Sequence, residues 1–317
     1  MKNKTVVVGI IALLFGILAS FLLSRYFATD KTETIVVLLP TSTNKYWQAV
    51  SDGAKRAALE IEGAYKVEIR TGDEDADAVG QMALLRGFLE RAETAALVIG
   101  PASSSQPVPL VAEYIRADIP VVVIDSLLDQ TALDLQGVNV SATIVSDNQH
   151  GGELAAQEFA DRLGPGPHSV VMLEGDPVHE SARQRKSGFE KAIQADWDVR
   201  YLRGDWRVDI ARSAVADFLI ADRFEALFSA SDEMAIGAIA AIKRAGIDNA
   251  EWPLIIGFDA SIDGLNALQN GAMLATVKQD AEGLGYKGVT LAAQILDGEI
   301  KPNPTLNILL PVELVFR

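Results

Sequence analysis

The chain has 317 residues, 49% of them hydrophobic, with a formal net charge of −15 and a pI near 4.7. The acidic residues are spread along the sequence and form no single tail, which excludes nucleic acid as a partner, since binding phosphates needs a basic footprint. Cysteine is absent, so disulfides, thiol catalysis, Cys-type zinc sites and an acylated lipoprotein Cys are excluded; His150, His168 and His179 have no ligand spacing, and no metal or other cofactor is expected.

Lys2 and Lys4 precede Val6 to Leu23, an uncharged run of 18 residues, just long enough to cross a bilayer. With the basic residues leading, the amino end is expected to stay in the cytoplasm and the rest to be exported. Residues 1–31 therefore read as a membrane anchor or a signal peptide. The sequence Leu22-Leu23-Ser24-Arg25-Tyr26-Phe27-Ala28 lacks the small-residue pattern of a cleavage site, which favours an uncleaved anchor. Either reading places the globular part outside the cytoplasmic membrane, in the periplasm or on the extracytoplasmic face.

From Thr34 onward, short β-branched runs alternate with amphipathic helical stretches, the signature of βαβ units and parallel sheets. Strands are predicted at Thr34–Leu39, Lys66–Arg70, Ala96–Ile99 and Val121–Ile124, with helices at Tyr46–Glu62, Ala76–Ala92 and Val108–Arg116. Continuous apolar runs such as VVLL and VVVI suit strands covered on both faces. A second set follows Val138–Val140 and a helix start at Asp147. Its strands are Ser169–Leu173, Val199–Leu202, Ala226–Phe228, Leu254–Ile256 and Leu274–Val277. Its helices are Ala182–Ala195, Asp209–Asp222, Asp232–Ala245 and Ser261–Gln269. About 285 residues after the leader make two α/β domains a more natural reading than one. Asp73, Asp75 and Asp77 imitate the start of a calcium loop, but Ala78 and Leu84 stand where Gly and Glu are required, so helix-start carboxylates are the expectation.

Polar side chains gather where strands end. Ligands of open α/β sheets bind at the carboxyl ends of the strands, so these positions form a candidate site: Asn44 to Trp47, Asp125 and Ser126, the segment Glu174 to Arg185, Trp206, Ser231, Asp259 and Gln279. Carboxylates accept from hydroxyls, Arg and Asn donate to hydroxyl and ring oxygens, and aromatic faces pack on the C–H face of a sugar. The mixture points to a small polyhydroxylated ligand. Asp147 and Asp232 read as helix caps, and His179 is not assigned to the site. On pattern alone, Arg183 and Arg185 read as a solvated helix face. Gly151-Gly152 and Gly283-Leu-Gly285 lack the spacing of a nucleotide-binding loop. No serine-hydrolase elbow or zinc-protease motif is present. An Asp125/Asp259 glycosidase pair stays formally open, but without a perturbed acid the chain is not read as an enzyme.

At these residues the chain resembles the type I periplasmic sugar-binding proteins of bacterial ABC importers, the ribose- and galactose-binding group that shares its fold with lac-repressor-type effector domains. The resemblance is carried by Asn44-Lys-Tyr-Trp47, Ile119-Pro-Val-Val-Val-Ile-Asp125, Val145-Ser-Asp-Asn148 with Gly151-Gly152, Ser181-Ala-Arg-Gln-Arg185 with Gly188-Phe189, Ser231-Asp-Glu-Met-Ala235, Gly257-Phe-Asp259 with Asp263-Gly264, and Ala275-Thr-Val-Lys-Gln279. It implies two doubly wound parallel-sheet domains joined by a three-stranded hinge, 32–146 with 280–309 and 147–279 with 310–317. It implies a monosaccharide or cyclitol enclosed between them, held by Asn44, Gln279, Asp125, Asp259 and Arg183, with Tyr46, Trp47 and Trp206 around the ring. Ser126 and Ser231 stand where ribose binders carry Arg and Asn, which argues against ribose itself. The implied partner is an ABC permease; a membrane sensor, a histidine kinase or chemoreceptor, is the alternative.

Overall fold

The computed structural model describes residues 33–72, 77–248 and 251–317. The anchor or signal segment expected at residues 1–31 lies outside the described residues. Among those described, no helix is long and apolar enough to cross a membrane.

The first group of elements is β1 (Thr34–Leu39), α1 (Lys45–Glu60), β2 (Lys66–Thr71), α2 (Ala78–Leu89), β3 (Thr94–Ile99), α3 (Val108–Arg116), β4 (Val121–Ile124), α4 (Gln130–Gln136) and β5 (Ala142–Ser146). The second is α5 (Asn148–Leu163), β6 (Ser169–Glu174), α6 (Glu180–Ala192), β7 (Asp198–Arg203), α7 (Val208–Ala221), β8 (Ala226–Ser229), α8 (Asp232–Arg244), β9 (Leu254–Asp259), α9 (Ile262–Gln269) and β10 (Ala275–Lys278). The chain then runs through α10 (Ala281–Leu296), β11 (Leu306–Leu310) and β12 (Glu313–Phe316). Two six-stranded sheets result, ordered β11-β5-β4-β3-β1-β2 and β12-β10-β9-β8-β6-β7. All pairings are parallel except β10 with β12.

The apolar strand runs are explained by the cores. In β1, Ile35, Val37 and Leu39 face a cluster with α1 and α10, while Val36 and Leu38 face another with α2 and α3. In β6, Val171 and Leu173 pack on α7 and α8, and Val170 and Met172 on α5 and α6. Both faces of each central strand are covered, so alternation disappears from the sequence.

Five elements have no counterpart in the sequence reading: β5, α4, α10, β11 and β12. Val138 and Val140 are buried, but the strand comes after them, at β5, where Thr143 and Ser146 dilute the apolar signal. Helix α4 is only seven residues long, with Gln130, Thr131, Asp134 and Gln136 polar and Leu133 its one buried residue, too short for a helical period to stand out. The chain moves between the sheets between β5 and α5, between β10 and α10, and between β11 and β12. The helix pair on each side of these passages is locked by reciprocal glycine contacts. A Cβ on Gly285 of α10 would stand 1.9 Å from the Val50 carbonyl oxygen of α1, and one on Gly188 of α6 would stand 1.8 Å from that of Gln149 in α5.

Candidate functional site

The strand orders reverse between β1 and β3 in one sheet and between β6 and β8 in the other, and a crevice at the carboxyl ends of strands is the expected ligand position in such sheets. The structure places a pocket there, with about 490 Å³ of empty space, part of it open to solvent. One sheet contributes Asn44, Tyr46, Trp47 and Asp125; the other contributes His179, Ser181, Arg185, Trp206, Ser231 and Asp259.

Local structure aims each group. Asn44 caps α1, its side chain accepting from Tyr46 N–H at 2.8 Å, which starts the helix with both aromatic residues against the pocket. Tyr46 donates its hydroxyl to Asp125 Oδ1 at 2.6 Å, and Trp47 meets the Tyr46 ring edge-on at 5.3 Å. Asp125, Trp206 and Asp259 all have left-handed backbones, with φ of 69°, 64° and 112°. Such conformations in residues other than glycine concentrate at functional sites, where the surroundings enforce them. Ser231 caps α8 by accepting from Met234 N–H at 3.3 Å. Asp147 caps α5 as expected, accepting from His150 N–H.

Arg185 is the cationic centre. Only 4% of its side chain is exposed; Nε donates to Asn148 Oδ1 at 2.8 Å and Nη1 to the Ala230 carbonyl at 2.6 Å. Its guanidinium lies over the Phe258 ring, 3.7 Å from the centroid, and 3.5 Å from Asp259 Oδ1. Burial pushes the carboxyls of Asp125 and Asp259 above the usual range, with Arg185 opposing the shift in both. Burial, with Asp125 beside it, also pushes Tyr46 well up, and burial lowers His179. His179 is thus neutral at physiological pH, and its Nδ1 accepts from Trp206 Nε1–H at 3.1 Å.

Arg183, expected to hold the ligand, does not face the pocket. Its side chain is 46% exposed and pairs with Glu180 and the Pro177 carbonyl on the outside of α6. The residue the geometry offers is Arg185. Helical periodicity contained this signal: the buried positions of α6 are Ser181, Ala182, Arg185, Gly188 and Phe189, so Arg185 shares the apolar face and Arg183 the opposite one. Ser126 is buried behind the pocket, where its hydroxyl accepts from Ser181 N–H at 3.4 Å. Gln279 also sits just outside, donating to Asp259 Oδ1 at 2.7 Å from an adjoining cleft. Asp232 is no cap: Ser231 takes that role, and Asp232 is fully buried. His179 and Ser181, not assigned from sequence, form part of the wall; nothing local marks His179, because its partner Trp206 lies 27 residues away.

Further bonds cross between the two groups of elements. The N-cap residue of α6, His179, supplies no side-chain cap. Instead Ser104 Oγ accepts from Glu180 N–H at 3.0 Å, and Ser104 N–H donates to the Val178 carbonyl at 3.1 Å.

A family model described as "Periplasmic binding protein domain" matches residues 35–300. The chain is 32% identical over 280 residues to the ribose import binding protein RbsB of Haemophilus influenzae, covering 84% of this chain and 87% of that protein. It is 29% identical over 293 residues to a D-ribose/D-allose-binding protein of Pseudomonas aeruginosa, with 90% of each covered. A crystal structure of an ABC transporter solute binding protein from Agrobacterium vitis with bound D-fucose superposes with a TM-score of 0.80 at 26% identity, over 90% of this chain and 95% of that one.

Proposed function

Since the chain belongs to the periplasmic binding protein family, we propose that it captures a monosaccharide or cyclitol between two lobes and presents it to an ABC-type permease outside the cytoplasmic membrane. The lobes of this reading are residues 32–146 with 280–309 and 147–279 with 310–317, hinged where the chain passes between the sheets. The observation that carries it is one pocket to which both sheets contribute: the buried Asp125 and the largely buried Asp259 carboxyls and a buried guanidinium among Tyr46, Trp47 and Trp206. Carboxylates accept from sugar hydroxyls, the guanidinium donates to them, and the rings cover C–H faces. Contacts from both lobes exist together only in the closed state, so ligand shifts the hinge equilibrium toward closure, the state a permease reads. A permease partner is favoured over a sensor because curated relatives are named for import.

The ligand-holding set of this reading is Asn44, Tyr46, Trp47, Asp125, Arg185, Trp206, Ser231 and Asp259, with Ser126 and Gln279 bracing it from outside. Ser126 and Ser231 are small and hold protein N–H groups, which supports a sugar other than ribose. A thermal-shift screen of pentoses, hexoses and inositols, with D-ribose included, tests the proposal, since a ligand of the folded state raises the melting temperature. A sugar that binds wild type with a dissociation constant in the micromolar range or below supports it. Failure of every compound to move the melting temperature would falsify it.

A further inference from the structure

Asp232 lies outside the pocket, fully buried at the start of α8, yet its carboxylate is the hub of the turn that carries Asp259. Oδ2 accepts from the backbone N–H of Ser261 at 2.7 Å and from the Ser261 hydroxyl at 3.0 Å. Oδ1 accepts from the Thr276 hydroxyl at 2.7 Å. Thr276 Oγ1 in turn accepts from Ala260 N–H at 3.2 Å. The segment held this way contains two consecutive left-handed residues, Asp259 and Ala260, with φ of 112° and 50°. A conformation of that kind persists only where neighbours over-determine it.

Two glycines make room for the hub. A Cβ on Gly264 would stand 2.0 Å from Asp232 Oδ2, and one on Gly257 2.2 Å from Oδ1. The separate motifs Ser231-Asp-Glu-Met, Gly257-Phe-Asp259, Asp263-Gly264 and Thr276 are therefore parts of one hydrogen-bonded unit. Its product is the placement of the Asp259 carboxyl, which lines the pocket between Arg185 and Gln279.

We propose that Asp232 is a positioning residue for ligand binding: through Ser261 and Thr276 it fixes the left-handed turn that presents Asp259, without touching the ligand. The proposal rests on the sugar-binding reading above. The test is titration calorimetry on the full chain with the sugar found by the screen. Thr276→Val removes one donor to Asp232 and the acceptor for Ala260 N–H, and is expected to weaken binding about tenfold, with Thr276→Ser restoring it. The effect is expected to persist in an Asp125→Asn background and to vanish in Asp259→Asn, because interaction through a shared partner is non-additive. A merely structural role predicts equal losses in both backgrounds, and that result, or wild-type affinity in Thr276→Val, overturns the proposal. If no sugar binds wild type, the functional reading fails separately. The positioning role is then decided by a ligand-free crystal structure of Thr276→Val: a displaced Asp259 upholds it, and an Asp259 that keeps its backbone angle and its bond to Gln279 overturns it.

Discussion

At the scale of single residues, the chemistry is concentrated in one cation and two acids that the fold removes from water. Arg185 and Asp259 stand 3.5 Å apart in the pocket wall, a donor and an acceptor for sugar hydroxyls that the fold holds away from water. Arg185→Ala and Asp259→Ala are expected to weaken sugar binding by two orders of magnitude or more in calorimetry, roughly 3 kcal/mol. Arg183→Ala, on the solvent side of the same helix, is expected to leave affinity unchanged; a comparable loss there would return the contact to Arg183. The pH dependence has a definite sign. The folded-state pKa of Asp259 lies well above its ordinary value because of burial, so the sugar-free protein is stabilised when this group is protonated, and that contribution is lost as pH rises through the folded pKa. Asp259→Asn is therefore expected to raise the melting temperature above wild type at pH 7, with the advantage shrinking as pH falls toward 4, while sugar binding weakens. Asp125 and Asp259 were legible in the sequence because each ends an apolar strand. Arg185 was legible in principle from helical periodicity but was displaced by a neighbouring arginine two positions away. The wall formed by His179 was not legible, because it depends on a tryptophan held in a different loop.

At the scale of elements, glycines do what no apolar pattern can show. Gly188 lets α6 lie against the backbone of α5, and a methyl group there meets the Gln149 carbonyl oxygen. Overpacking of this kind costs about 3 kcal/mol; Gly188→Ala is expected to lower the melting temperature by roughly 10 °C, read by circular dichroism. Gly87, whose added Cβ meets nothing, is the matched control, expected to tolerate alanine. The expected ends hold for β1 and β4, whose every residue is buried, while β3 begins two residues earlier and β9 ends three residues later than expected, where polar or glycine residues extend the apolar run. Strand β5 and helix α4 were missed for the opposite reason. Threonine and serine dilute the first, and the second is a seven-residue, largely polar helix with Leu133 its one buried residue.

At the scale of the whole molecule, the two sheets meet around the pocket through bonds that owe nothing to a ligand. Ser104 caps α6 from the opposite side of the cleft, and Ser126 reaches Ser181 beside it. Losing a helix cap costs about 1 kcal/mol. Ser104→Ala is thus expected to weaken sugar binding several-fold with the pocket intact, and to enlarge the radius of gyration of the sugar-free protein in X-ray scattering. An unchanged radius with unchanged affinity would show that these contacts do not bias the hinge. The order of the strands has a consequence in time. Both β11, the edge of one sheet, and β12, the edge of the other, are encoded after every other element. During synthesis neither sheet can gain its final row of hydrogen bonds until residues 306–316 have left the ribosome. The two lobes are then completed together, a timetable that suits a polypeptide delivered across a membrane before it folds.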